Sequence, residues 1–330
     1  MKLILHIGTH KTGTTAIQQF LLANEKSLYQ SGTLYPVSCL GQSKNQYSYL
    51  ATLLRHGKLT KVKRDLKLIR EEAVTKHCQM VILSGEEFST LNYQHVAELC
   101  DLLGDFDVEV KIYFRNAYDF VISAFSEINK TSRSLTKIEK LNKRLSRLVD
   151  YDRTLNSWCK VFGDEAVDVY SYDRIKHECI PHFLRSVNID ENLIRELTAN
   201  EMMSAYSGVN SRFDPIASFS LVFLGKIRDS RDYDAAKETC GKIFSDKNSS
   251  DQLLRFLAHK YLKAKDVKYC HHKLLPLIED ILPEESIDLE QAHAMLNSGQ
   301  YMVELGRFLI AMGTRESNSP WWSRFLKRFG

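Results

Sequence analysis

The feature that most narrows the choice of fold is a short apolar run, Leu3 to Ile7, that meets a glycine-rich turn and passes at once into "TTAIQQFLLANE". In that stretch Ile17, Phe20 and Leu21 fall on one helical face. Strand, glycine turn and helix in direct succession open an α/β unit. Three more apolar runs repeat the strand signal: "MVIL" (Met80 to Leu83) before the turn "SGEE", "VEVKIYF" (Val108 to Phe114) before the helix-forming "AYDFVISAFSEI", and "AVDVY" (Ala166 to Tyr170). Apolar strands alternating with helical segments predict a parallel sheet with helices on both faces. Ligands of such sheets sit beyond the carboxyl ends of the strands. His10 to Thr15, Ser84 to Glu87 and Arg115 to Asn116 each follow a strand and are therefore expected to be neighbours.

From about Asn188 the strand signals fade, and "LLRFLAHKYLKA" and "ELGRFLIAM" read as amphipathic helices, with no repeat of fixed period. The expected organisation is an α/β core over residues 1–185, a mainly helical part of the same domain over 186–313, and a flexible amphipathic tail over 314–330. With 44% hydrophobic residues in 330, a sizeable core is expected. A net charge of +4 argues against nucleic-acid binding by bulk charge and leaves room for a small anionic ligand. The seven cysteines are scattered singly with no Cys-x-x-Cys pair, which suggests neither a disulfide framework nor a zinc knuckle and fits a reducing, cytoplasmic setting. The start "MKLILHIGTH" reads as a first strand instead of a signal peptide, because its apolar run ends within a few residues. No stretch approaches the apolar length of a membrane span.

The turn itself, "HIGTHKTGTT" over His6 to Thr15, has Gly8 and Gly13 five apart and a hydroxyl, Thr15, two residues on. A glycine turn between strand and helix points successive backbone N–H groups inward, and the helix start adds a positive field, so an anion binds there without side chains. Nucleoside triphosphatases place a lysine directly after the second glycine. Here that position is Thr14, and the loop's only lysine is Lys11. A triphosphate with its metal loses a partner, while Lys11 is placed to lean over an anion's leaving group. The plainer alternative is a glycine turn that only starts a helix.

"HKTGTT" after a strand resembles the 5′-phosphosulfate loop of sulfotransferases that use 3′-phosphoadenosine 5′-phosphosulfate (PAPS), whose pattern is Lys-[Thr/Ser]-Gly-Thr-Thr. The resemblance implies a P-loop-type sheet, with Lys11 on the oxygen bridging sulfur and phosphorus and Thr12, Gly13, Thr14 and Thr15 around the 5′-phosphate. It makes a second demand, an arginine at the end of a later strand and a serine eight residues on, both for the 3′-phosphate. "IYFRNAYDFVISAFS" supplies Arg115 and Ser123, although Ala117 stands where the family often has proline. "YDRTLNSWCKVFGDEAVDVYSYDRI" also resembles a segment of bacterial-type members, and its Trp158, Phe162, Tyr170 and Tyr172 read as core and strand-end residues. The resemblance covers residues 1–185, the implied PAPS-binding core, with 186–313 completing the acceptor side. It implies PAPS as co-substrate, no metal, and an acceptor hydroxyl or amine on a carbohydrate or glycolipid.

An acceptor hydroxyl must lose its proton as the new bond forms. Glu86, in "LSGEEF", occupies the place where related sulfotransferases put a catalytic Glu or His; His10 is a second candidate and Glu87 a third. Glu86 is also read as a partner for Lys11 or as part of a helix start, and His6 as a packed core residue. Between Lys130 and Arg147 seven basic residues face one acid, which reads as a solvated helical face or as a surface for an acidic acceptor or lipid. In "SNSPWWSRFLKRFG", Trp321, Trp322, Phe325, Leu326 and Phe329 oppose Arg324, Lys327 and Arg328, a pattern for peripheral contact with the inner membrane face or for docking on protein. Two other functions fit the motifs: a P-loop small-molecule kinase, and a catalytically inactive protein that binds PAPS or its bisphosphate product.

Overall fold

A strand that is apolar on both faces needs cover on both sides, and Leu3, Ile4, Leu5 and Ile7 are all fully buried. They lie in β1 (Lys2–Gly8), the central strand of a five-stranded sheet. The computed structural model describes residues 1–36, 47–123, 145–199, 258, 262 and 266–283. All of these except Ala258 belong to one compact unit.

The other strands are β2 (Thr33–Leu34), β3 (Met80–Ser84), β4 (Asp107–Phe114) and β5 (Val167–Ser171), in the order β2-β3-β1-β4-β5. Every pairing is parallel; Leu5 of β1 sits between Leu83 of β3 and Val110 of β4. The four strands read from the sequence are present within a residue or two of their expected bounds. The two-residue β2 was not foreseen, being too short to carry an alternation.

After β1 come α1 (Thr14–Ala23) and α2 (Glu25–Gln30); α3 (Ser48–Arg55) and α4 (Leu59–Thr75) precede β3, and α5 (Tyr93–Leu103) precedes β4. Ile17, Phe20 and Leu21 of α1 are buried, as their spacing predicts. Residues 117–123 are helical, and the helix Tyr151–Phe162 leads to β5. Trp158 is fully buried on that helix, edge-on to Phe88 and stacked on Phe162, as a core reading requires.

The chain leaves β1 toward β3 on one side and later crosses to β4 on the other. The strand order therefore reverses between β1 and β4, and in open parallel sheets the ligand crevice lies beyond the carboxyl ends at such a switch.

Beyond residue 186 the described residues form the helix Glu191–Thr198, a 3-10 turn Leu275–Leu277 and a short helix Ile278–Ile281, with no strand among them. Most of the expected helical part, the amphipathic tail 314–330 and the basic run up to residue 144 lie outside the described residues. No described helix is long and apolar enough to cross a membrane.

His6 shows what the core demands of a polar group. It is fully buried, its Nδ1 lies 2.8 Å from the Ser84 hydroxyl, and its ring packs against Tyr113 and Phe183. Burial holds its pKa near 3, down from an ordinary 6.5. The unfolded chain therefore takes up a proton below pH 6.5 that the folded protein refuses until about pH 3, so this group destabilises the fold as pH falls through that window. The native protein should lose stability there more steeply than His6→Gln, by up to about 1.4 kcal/mol per pH unit. Parallel urea-denaturation curves across the window would refute a neutral buried His6.

Candidate functional site

The loop after β1 is tied to the end of β4. The Thr9 amide and hydroxyl both donate to the Tyr113 carbonyl, at 3.3 and 2.8 Å, and the Thr12 hydroxyl closes the loop on the Thr9 carbonyl at 2.6 Å. Thr12 and Thr14 are buried. A Cβ on Gly8 would collide with the Thr14 methyl, so the first glycine lets α1 start directly above the strand. Gly13 has φ +73 and caps α1 with no side-chain acceptor for the helix's first amides. Those amides point into the crevice region with the positive end of the helix.

Lys11, at the loop tip, has φ +71, a left-handed conformation uncommon for a residue with a side chain. Arg115 stabilises it from the opposite strand end, donating from Nη1 to the Lys11 carbonyl at 3.1 Å. The guanidinium also lies 3.8 Å from Asp119 and 5.8 Å from the Tyr172 ring centre, and its buried Nε has no hydrogen-bond partner among the described residues. A buried donor on a cation is costly when left unmatched. It therefore marks a place that an anion would satisfy.

Asn116 is the hinge of this strand end. Its side-chain oxygen accepts from the amides of Tyr118 and Asp119, at 3.0 and 3.2 Å, which caps the helix over residues 117–123. Ala117 can thus stand where the family pattern has proline, because the cap supplies the helix start. The Asn116 amide donates to the Asp173 carboxylate at 2.5 Å and its side-chain NH2 to the Asp280 carbonyl at 3.0 Å. Burial raises the pKa of Asp173 against the opposing pull of the Asn116 amide and Arg115.

Immediately after β3 a 3-10 turn, Glu86–Thr90, faces the loop. His10 lies between two carboxylates, Nδ1 at 3.4 Å from Glu86 and Nε2 at 3.6 Å from Glu87. Glu87 is already engaged by Arg55 at 2.9 Å. Burial alone would raise the pKa of Glu86, but His10, Lys11 and a hydrogen bond from Thr14 outweigh it and hold the carboxyl below its usual range. Glu86 is thus ionised and ready to accept a proton, though a weaker base than a free carboxylate.

The three post-strand segments expected to be neighbours do meet: His10 and Lys11 touch the Glu86 turn on one side and Arg115 on the other. Thr15 is half-buried on the first turn of α1, and Ser123 is half-buried at the last described residue of its helix. The sequence reading missed Asn116 as a cap, Arg55, Asp119, Asp173 and Asp280. Of these, Asn116 had a usable signal, since an asparagine directly before a helical run is a cap candidate.

Relief of the left-handed strain at Lys11 has a measurable outcome. Lys11→Gly should be more stable than Lys11→Ala by about 0.5–1 kcal/mol, because glycine adopts φ +71 without the Cβ penalty while its larger unfolded-state entropy offsets part of the gain. Equal urea midpoints for the two variants would show that the tip does not hold this conformation.

Comparison with family models, with curated proteins and with solved structures finds no match to this chain.

Proposed function

We propose that the chain is a PAPS-dependent sulfotransferase acting on a hydroxyl or amine, with a carbohydrate or glycolipid as acceptor. The observation that supports this reading is the Arg115 to Lys11 bond, which brings into contact the loop and the later strand end, the two segments that the resemblance assigns to one nucleotide. The anion-ready α1 start and the unmatched Arg115 Nε supply the donors such a ligand needs. The acceptor class rests on the family resemblance of the motifs.

In this reading the α1 amides and Gly13 to Thr15 cradle the 5′-phosphate, and Arg115 with Ser123 holds the 3′-phosphate. Lys11 neutralises charge on the bridging oxygen as the bond from sulfur to that oxygen breaks. The acceptor oxygen forms the new bond to sulfur and passes its proton to the His10–Glu86 pair. The two side chains are in contact, His10 Nδ1 lying 3.4 Å from Glu86, so either can take the proton within reach of the other. Glu87 is the weaker candidate because Arg55 holds it.

Adenosine 3′,5′-bisphosphate should raise the melting temperature, in line with about 2.7 kcal/mol of stabilisation at a hundredfold excess over Kd. Lys11→Ala and Arg115→Ala should lose that shift. Glu86→Gln should keep it while labelled-sulfate transfer to a glycan acceptor falls about 10²–10⁴-fold. A shift with ATP and magnesium but none with the bisphosphate would replace this reading with a small-molecule kinase. A bisphosphate shift without transfer to any acceptor would leave a binding protein.

A further inference from the structure

A second cluster of ligating groups lies away from the crevice, where the helix Tyr151–Phe162 ends. Cys159 is a buried free thiol on that helix, and Asp164 opens the 3-10 turn that follows Gly163. His271 comes from the segment 266–283 and lies 107 residues after Asp164. One ligand atom from each of the three lies within 4.8 Å of the other two. We infer that Cys159, Asp164 and His271 form a zinc site.

The segment that supplies His271 is held in place by other contacts. Asp152, seven residues before Cys159 and so on the same face of the helix, accepts hydrogen bonds from the amides of Cys270 and His271 at 2.8 and 2.9 Å. The Tyr269 hydroxyl donates to the Val149 carbonyl at 2.9 Å, and its ring stacks on Tyr151. Asp152, Val149 and Tyr151 thus hold the segment around His271 through contacts that no metal touches. His272 stacks on His271 with ring centres 4.6 Å apart, and its Nε2 lies 3.4 Å from an Asp164 oxygen. That is an outer contact of the kind that orients a metal-binding carboxylate.

One thiolate, one imidazole and one carboxylate is a donor set for zinc. Calcium and magnesium require oxygen donors throughout. Around tetrahedral zinc the ligand atoms stand about 3.3–3.8 Å apart, so side chains now within 4.8 Å close by about an ångström. The fourth position goes to water. His271 Nδ1 accepts a 3.2 Å bond from the Lys273 amide, and binding through either ring nitrogen exchanges that one contact for the metal. Burial and the neighbouring His272 lower the pKa of His271, which keeps the ring neutral and able to ligate. Without metal the Cys159 thiol keeps its proton, since burial and the Asp164 carboxylate push its pKa up to about 12. Zinc binding therefore releases this proton to solvent, and affinity rises with pH.

The consequence reaches the crevice. The same segment carries Asp280, whose carbonyl receives the Asn116 side chain and whose carboxylate pairs with Arg174 at 2.5 Å. Zinc at Cys159 would brace the segment that steadies the residue next to Arg115.

The test uses the full chain, freed of metal and titrated with cobalt(II). One equivalent should give a tetrahedral d–d spectrum with a thiolate-to-cobalt charge-transfer band, both abolished by stoichiometric zinc. Cys159→Ser should lose the charge-transfer band, His271→Asn should weaken cobalt binding at least tenfold, and Cys270→Ser, an exposed neighbour, should change neither. Circular dichroism shows whether each variant is folded; if Cys159→Ser is not, His271→Asn and Cys270→Ser decide the matter. The absence of a charge-transfer band in the native chain, its survival in Cys159→Ser, or unchanged affinity in His271→Asn would overturn the site. None of these readouts depends on sulfuryl transfer, so the zinc site and the sulfotransferase reading stand or fall separately.

Discussion

The hydrogen bond from Arg115 to the Lys11 carbonyl ties the loop after β1 to the residue after β4, beyond the last backbone bond between the two strands. β1 and β4 are paired along their length, but the chain departs from them in opposite directions, and without a link across the gap their loops would diverge. Thr9 makes that link from below, through Tyr113, and Arg115 makes it from above, through Lys11. Because Lys11 is held left-handed, its carbonyl turns toward the arginine. The strain at one residue is therefore offset by a charge-assisted bond at the other, the usual way in which a tight functional loop is kept in an unfavourable conformation.

The charges at the carboxyl ends of the strands form two groups. Arg115 sits among Asp119, Asp173 and the Tyr172 ring, so its charge is partly matched before any ligand arrives. His10, Glu86, Glu87 and Arg55 make a second chain, in which Arg55 anchors the far carboxylate and leaves Glu86 beside His10 and Lys11. An anion entering the first group displaces carboxylates from a cation. The second group sets the Glu86 carboxylate against His10 and Lys11, which hold it below its usual range. The two groups are neighbouring but distinct sets of side chains, joined through the loop that carries His10 and Lys11.

Much of this was legible in the sequence because it rests on local pattern. The four longer strands are apolar runs, and the three segments that meet at the crevice each follow one of them, so the parallel-sheet rule places them together. What was not legible depends on contacts between residues far apart in the chain. Asp280 reaches Asn116 across 164 positions, and Cys159, Asp164 and His271 converge from a helix end, a turn and a remote segment. A spacing rule such as Cys-x-x-Cys detects ligands carried on one local element, so it passed over a cluster assembled by the fold, and the sequence alone suggested no metal. β2 escaped for another reason: two residues carry no period.

The glycines, which first drew attention to the loop, turn out to be weak discriminators of its task. Gly8 is needed because Thr14 packs over it, and Gly13 because the chain turns left-handed there against Cys179 and Tyr172. Both needs arise from the protein's own packing, and a turn that merely started a helix would have them too. What separates an anion site from a bare helix start is the surplus of donors once packing has been satisfied. Gly13 gives α1 no side-chain cap, and Arg115 Nε is buried without a hydrogen-bond partner among the described residues. Arg115 keeps one donor beyond its bond to the Lys11 carbonyl, at the carboxyl ends of β1 and β4 where the loop turns.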